Sequence, residues 1–237
     1  MIYVGIDDTD VVGTAGTNQL ARAILRQLGT EAAAAIVCRH QLLFDPSIPF
    51  TSKNGSASIQ LPSLSAADIP RLVGSIRGVM RAWFIPGSDP GLCVTAAVPA
   101  GVQDFARSCQ HEVVTNRHAR AVASDAAVYL EGLGGSEQGI IGALAAVGLV
   151  ATGDDGRVVH LAGWPWPDAF GGTQPVEDVR ARGVHSIRRA DTGEPVTRGA
   201  IDVGKHLRPN IRGGQIVLFV EPASDPAGPP WRAVKLP

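Results

Sequence analysis

The segment that most constrains the fold is the first. An apolar run, Ile2-Tyr3-Val4-Gly5-Ile6, ends in Asp7, Asp8 and Asp10, and a leucine-patterned stretch begins at Thr17. The run reads as a buried strand, at whose carboxyl end Asp7 and Asp8 point to opposite faces. Val11-Val12-Gly13-Thr14-Ala15-Gly16 is too short and glycine-rich for a second strand. From Thr17, the spacing of Leu20, Ile24, Leu25 and Leu28 predicts a helix with one apolar face, capped by Thr17 or Thr14. The chain must therefore pass from strand through acidic turn to helix with almost no intervening residues.

That turn carries an electrostatic cost. Two like charges about 4 Å apart repel by roughly 4 kcal/mol at an effective dielectric of about 20. An Asx turn or a helix cap engages one carboxylate and leaves two unexplained. A divalent cation accounts for them. The helix start beside them offers amides to a phosphate, and carboxylates for a metal next to amides for a phosphate is what binding of a magnesium nucleotide requires.

At 237 residues the chain can bury a substantial core as one large domain or two modest ones. Its 45% hydrophobic and 18% charged residues place it among globular proteins. The formal net charge of −1 gives no bulk basicity for a nucleic-acid surface, although a local basic patch is compatible with it. Cys38, Cys93 and Cys109 lie far apart with no Cys-x-x-Cys pair. That argues against a disulfide framework or a zinc ribbon and fits a reducing cytoplasm. No basic stretch precedes a long apolar run, and no window of about 18 residues is uninterruptedly apolar, so a cytoplasmic protein without a membrane partner is expected.

Strands are expected near 34–39, 55–61 and 91–98, and helices near 66–77 and 101–109. A second block begins near His111, with an alanine-rich helix over 117–131, an apolar helix over 139–149 and a strand over 157–162. An irregular loop over 163–175, a short helix near 176–182 and strands near 184–189 and 215–221 follow. The division expected is 1–110, 111–222 and a flexible Pro/Gly-rich tail over 223–237.

Three further segments carry chemistry. Gly132-Leu133-Gly134-Gly135-Ser136-Glu137-Gln138-Gly139 leads into the apolar helix. Its glycines let backbone amides approach an anion, and the helix start favours negative charge. It is neither a dinucleotide fingerprint nor a Walker motif, and a plain helix–helix turn is the alternative. The long connection from Arg39 to Gly55 is dense in polar groups and prolines. Lys53 and Asn54 in it can bind phosphate or ribose, and Arg39 or His40 can supply positive charge, while Asn54-Gly55 is equally a hairpin dipeptide. Gly204 to Gly214 gathers Lys205, Arg208 and Arg212, either for an anionic substrate or as a solvated loop. The six histidines are scattered without a His-x-x-x-His pair, and no Gly-x-Ser-x-Gly elbow occurs.

Together these segments resemble the amino-terminal half of the archaeal tRNA-isoleucine 2-agmatinylcytidine synthetase family. The resemblance rests on Val4-Gly5-Ile6-Asp7-Asp8-Thr9-Asp10, on Asp45-Pro46-x-Ile48-Pro49-Phe50 leading to Asn54-Gly55, on Asp89-Pro90-Gly91, and on Gly139-Ile140-Ile141-Gly142-Ala143-Leu144-Ala145-Ala146-Val147-Gly148. It implies an α+β protein, with an unusual kinase domain holding the acidic motif and a ferredoxin-like domain over 111–222. It also implies ATP and magnesium as cofactors and phosphorylation of a carbonyl oxygen of cytidine before agmatine displaces the phosphate. The OB-fold and zinc ribbon that hold tRNA in that family are not expected here, given the chain length and the cysteine spacing. Asp7, Asp8 and Asp10 carry over as magnesium and phosphate-transfer residues. Thr9, Gly16, Thr17, Lys53, Asn54, Gly139 and Gly142 are the candidate nucleotide-binding residues.

The reading that follows is a magnesium-ATP-dependent phosphotransferase or activating ligase whose acceptor is unidentified, with RNA as one candidate. Two alternatives stand beside it. Asp8-Thr9-Asp10-Val11-Val12 also fits the nucleophile motif of a haloacid-dehalogenase-type phosphatase, with Asp154 and Asp155 as late acidic ligands, although Asp154-Asp155-Gly156 reads more simply as a hairpin turn. The other alternative is a nucleotide-binding sensor without catalysis.

Overall fold

The computed structural model describes residues 1–7, 9–11, 13–14, 16–48, 54–165, 169–225 and 227–236. The opening apolar run forms strand β1 (Ile2–Asp7), which buries Ile2, Val4 and Ile6 on one face. The two-residue period turns Tyr3, Gly5 and Asp7 to the other face. β2 (Ile36–Gln41) pairs with β3 (Gly55–Leu61), and β1 lies between β3 and β4 (Gly91–Thr95), antiparallel to both. Helix α1 (Thr17–Leu28) connects β1 to β2, and α2 (Ile69–Ala82) connects β3 to β4. This βαββαβ order with strands arranged 4-1-3-2 is the ferredoxin-like arrangement. The sequence expectation puts it over 111–222, whereas the structure has it over 2–95.

Both of these helices cover one face of the sheet, where Leu20 and Ile24 of α1 and Leu72 and Ile76 of α2 meet Val4 and Ile6. The opposite face receives α5 (Gly139–Ala151), which is covered outside by α3 (Ala100–Ser108) and α4 (Asn116–Asp125). Between Gly139 and Val150 only Ile141 is not buried. A helix that is apolar all round is stable only when covered on every side, and this placement supplies the cover. Glycines set how closely it sits. A Cβ on Gly5 would stand 1.9 Å from the Ala143 carbonyl oxygen, and one on Gly91 would stand 2.1 Å from the Gly139 carbonyl. The helix backbone rests directly on the strand backbones.

The sheet continues on both sides. β5 (Tyr129–Gly132) pairs with β4 at one edge, and β6 (Arg157–Leu161) pairs with β2. Beyond β6 lie β10 (Asn210–Arg212), β11 (Gln215–Pro222), β12 (Trp231–Ala233), β9 (Ala200–Asp202) and β7 (Thr173–Pro175), with β8 (Ser186–Arg189) parallel to β11. Helix α6 (Val176–Ala181) adds Val176 and Val179 to the core over these strands. The class is α+β.

Several expected boundaries fall elsewhere. The sheet passes residue 110 without a break, because β5 and β6 attach to strands on the other side of it. The helix expected over 117–131 ends at Asp125, since Ala127 adopts a left-handed φ of 52° and Tyr129 to Gly132 pair with β4. The expected tail contributes Trp231–Ala233 to the sheet, because the exposed ladder of β11 accepts it across a turn closed by the Ala223 amide and the Pro230 carbonyl. Asp154-Asp155-Gly156 joins a helix to a strand and is not a hairpin turn, and Gly156, with φ of 115°, makes that bend. No described helix is long and apolar enough to cross a membrane.

The backbone contact between α5 and β1 leaves no space at Gly5. Gly5→Ala is expected to destabilise the protein by about 2–3 kcal/mol, as overpacking of a closed core does. Urea unfolding measures it, and an unchanged midpoint would contradict this seating of α5.

Candidate functional site

The seating of α5 on the sheet creates a cavity of about 340 Å³ at its amino-terminal end. Gln138, Gly139, Ile141 and Gly142 of its first turn line one side. Gly142 lies so close to Asp7 that a Cβ there would stand 1.7 Å from Asp7 Oδ2. Asp7 and Asp10 bring carboxylates to the same space, and Thr17 opens α1 there. Thr115 and Asn116, at the start of α4, and Asn54 and Gly55, at the start of β3, complete the polar lining with Glu112 and Ser47. Three helix beginnings thus converge on one cavity that also holds three carboxylates, those of Asp7, Asp10 and Glu112. Each helix contributes a positive dipole end, worth about 0.3–1 kcal/mol for a nearby negative charge.

Of the residues expected from sequence, Asp7, Asp10, Thr17, Asn54, Gly139 and Gly142 line this single cavity. Thr9 is buried beside it and donates from Oγ1 to Thr17 Oγ1 at 3.2 Å. Gly16 occupies the cap position of α1, within 3.7 Å of Asp10 Oδ2 as judged from the place of an added Cβ. Asp8 and Lys53 lie outside the described residues. The cap expected from Thr14 or Thr17 does not form, since no side chain caps α1 and Thr14 Oγ1 donates to the Val11 carbonyl at 2.8 Å. The amide cradle expected at Gly139 is also modified. The Gly139 amide donates to the Asp89 carbonyl at 3.1 Å, and those of Ile140 and Ile141 to Glu137 and Gln138. α5 therefore contributes its dipole and its clearance, not open amides.

Sequence reasoning missed Glu112, Thr115, Asn116, Gln138 and Ser47. One signal was available. Thr115 precedes the expected helix as a capping residue, and its Oγ1 accepts the His118 amide at 3.3 Å.

The walls are tied to one another. Asp89 accepts the Ser136 amide at 2.7 Å and also its hydroxyl, and Asn116 Nδ2 donates to the Ser136 carbonyl at 3.0 Å. Glu137, held at a left-handed φ of 61°, is paired with Arg120. These contacts fix the glycine-rich loop that delivers α5. On the other wall the Asn54 carbonyl accepts the Leu42 amide at 3.0 Å, while Asn54 Nδ2 donates to the Leu43 carbonyl at 2.8 Å. The Leu43 amide in turn donates to the Cys109 carbonyl at 3.0 Å.

Burial, reinforced by the Asp7 carboxylate, pushes the Cys109 thiol up to about 12. It lines the cavity as a neutral thiol without nucleophilic character at neutral pH. Burial likewise pushes Cys38 and Cys93 up.

A partly buried polar network joins β2 and β3 to the turn before β6. His40 Nδ1 bonds Asp155 Oδ1 at 2.6 Å and its Nε2 bonds Ser58 Oγ at 2.8 Å, while Gln110 Nε2 donates to Asp155 Oδ2 at 2.9 Å. Burial raises the Asp155 carboxyl, but the hydrogen bonds and charge it receives from His40, the bond from Gln110 and the nearby Arg212 outweigh it, so its pKa lies below the usual carboxylate range. Neither Asp155 nor Asp154, which accepts the Gly213 amide at 2.6 Å, lines the cavity. The late acidic pair of the phosphatase reading is thus engaged elsewhere.

No family model matches the chain. Over 184 residues it is 26% identical to the tRNA(Ile2) 2-agmatinylcytidine synthetase TiaS of Cenarchaeum symbiosum (strain A), an alignment covering 76% of this chain and 40% of that protein. A crystal structure of TiaS with tRNA(Ile2) and ATP matches with a TM-score of 0.52 at 25% identity, over 62% of this chain and 36% of that one. The chain is related to the tRNA(Ile2) 2-agmatinylcytidine synthetases. Apo TiaS shares the fold over 75% of this chain and 42% of its own, with a TM-score of 0.52 at 23% identity. The chain spans about 40% of the length of the curated TiaS it matches.

The depressed Asp155 carboxyl sets a pH dependence. A carboxylate with a folded pKa below its unfolded one, near 3.9, stabilises the fold above that value, and the contribution is lost as pH falls through the folded pKa. Asp155→Ala is expected to cost about 1.5–3 kcal/mol at pH 7, the range for a hydrogen bond to a charged group. The cost should shrink below pH 4. Urea midpoints of both proteins across pH 2.5–7 measure it, and a pH-independent difference would contradict the assignment.

Proposed function

We propose that the chain is a magnesium-ATP-dependent phosphotransferase or activating ligase, with the cavity as its nucleotide phosphate site. The observation that carries this reading is the meeting of Asp7 and Asp10 with the first turns of α1, α4 and α5 in one cavity, in a chain related to TiaS. A solved TiaS complex contains tRNA(Ile2) and ATP, and another contains AMPCPP and agmatine.

The donor set fits magnesium. No group of three or more acidic, cysteine or histidine side chains arranged for a metal occurs among the described residues. Magnesium does not require one, because it is usually bound by one or two carboxylates together with substrate phosphates and water. Asp7 and Asp10, with Asp8 between them in sequence, would hold it, and when bound it neutralises charge on the transferring phosphoryl group.

The chain's own residues do the rest. The dipoles of the three helices favour the polyphosphate. The Thr17 hydroxyl, which accepts from Thr9, and the side chains of Asn54 and Asn116 line the cavity and are suited to bind phosphate or ribose oxygens. Gly142 keeps the space over Asp7 clear, since any larger residue would displace the carboxylate. The acceptor presents an amide-like or hydroxyl oxygen to the γ-phosphate, and one Asp orients it. Glu112 and Ser47 at the rim are suited to contact a polar acceptor. RNA is a candidate acceptor.

Asp7→Asn is expected to weaken magnesium-dependent ATP binding by about 30-fold or more, since loss of one charge-paired contact costs roughly 2 kcal/mol or more. Calorimetric titration with ATP, with and without magnesium, checks it. In the variant, chelation of magnesium should make little further difference. Full magnesium-dependent affinity in the variant would sink the assignment. Turnover that appears only with an added acceptor supports transfer, and binding without turnover for any acceptor supports the sensor alternative.

A further inference from the structure

Arg39 on β2 and Arg157 on β6 are direct partners in the antiparallel register. Directly opposite residues in such a pair project from the same face, so Arg39 and Arg157 leave the sheet from neighbouring positions. By the two-residue period that face is the one of Val37 and Val159, which belong to the core under α1 and α2. Asp7 points to the other face. Like charges directly opposite destabilise a sheet. Among the described residues neither arginine forms an ion pair. Burial and then the like charge of Arg39 push the Arg157 guanidinium down from its usual value.

The pair is held in position. Arg157 gives Nε, at 3.0 Å, and Nη2 to the Leu236 carbonyl, which leaves Nη1 without an acceptor among the described residues. Arg39 Nη2 lies 2.9 Å from where a Cβ of Gly55 would stand, so the glycine makes room for the guanidinium. Planar guanidinium forks match oxyanions in a bidentate way, and one shared anion would convert the repulsion into two charge-assisted contacts.

We propose that Arg39 and Arg157 form a phosphate-binding site on the face of the sheet opposite Asp7, bordering the nucleotide cavity at Gly55. The ligand chemistry is a phosphate group, free or carried as a monoester or diester. The site stands whether or not the cavity binds ATP.

The test is titration of the full chain with inorganic phosphate at constant ionic strength, followed through the arginine Nε–H resonances by NMR. The Arg39 and Arg157 resonances should shift together with one shared dissociation constant. In Arg39→Gln the Arg157 response should weaken about tenfold or more. Without phosphate the same variant should be no less stable than the parent, because a repulsion has been removed. Asp7→Asn should leave the phosphate response unchanged, which separates this site from the nucleotide reading. Repeating the titration with a 5′-mononucleotide and with a dinucleotide lacking a terminal phosphate assigns the natural ligand as monoester or diester. Failure of both resonances to respond to phosphate, or an Arg157 response unaltered in Arg39→Gln, would overturn the proposal.

Discussion

The rest of the structure depends on one contact, the direct seating of the α5 backbone on the backbones of β1 and β4. Side chains normally separate a helix backbone from a sheet, and here glycines at Gly5, Gly91 and Gly139 remove them at the points of closest approach. The helix can be apolar on all sides because it is the middle layer, with the sheet beneath and α3 and α4 above. Its depth also decides where its first turn ends, next to the carboxyl end of β1. The acidic residues and the helix start are neighbours for that reason, although they lie more than a hundred residues apart in sequence.

Once α5 is so placed, the electrostatics follow. Asp7 faces a helix beginning instead of solvent, and Asp10 lies beside the start of α1. The dipoles partly offset the repulsion between the carboxylates, by up to about 1 kcal/mol each, against the roughly 4 kcal/mol expected of a close pair. The remainder favours a cation. The same dipoles favour an anion, so the cavity is suited to a cation and a polyphosphate together better than to either alone. The glycine-rich loop is held by Asp89, Asn116 and Arg120, and its first-turn amides are already engaged, so the loop acts as a mount for the helix.

How much of this was legible in the sequence differs from element to element. β1, the acidic turn and α1 were, because burial of Ile2, Val4 and Ile6 and of Leu20, Ile24 and Leu28 imposes periods visible in the chain. α5 was legible as a helix, but the partner of each of its glycines was not, since Gly142 over Asp7 and Gly139 over Gly91 are relations between distant segments. β5, β7, β9, β10 and β12 have three or four residues each and are defined by their neighbours more than by any pattern of their own. Reading Tyr129 to Glu131 as the end of an alanine-rich helix overlooked the free edge of β4 that pairs with it. The ferredoxin-like order was missed at 2–95 for a similar reason, because the antiparallel neighbours of β1 come from residues 57–61 and 91–95, and hydrophobic periodicity alone does not order strands.

The central claim is that the cavity at the meeting of β1, α1, α4 and α5 is where a magnesium nucleotide binds. Backbone amide NMR of the uniformly labelled chain during titration with magnesium and a non-hydrolysable ATP analogue tests it most directly. Asp7, Asp10, Thr17, Asn54, Asn116 and Gly142 are expected to shift together with a single dissociation constant, while the strands from β7 to β12 stay largely unperturbed. Saturable shifts confined to those later strands, with Asp7 and Gly142 unmoved, would contradict it.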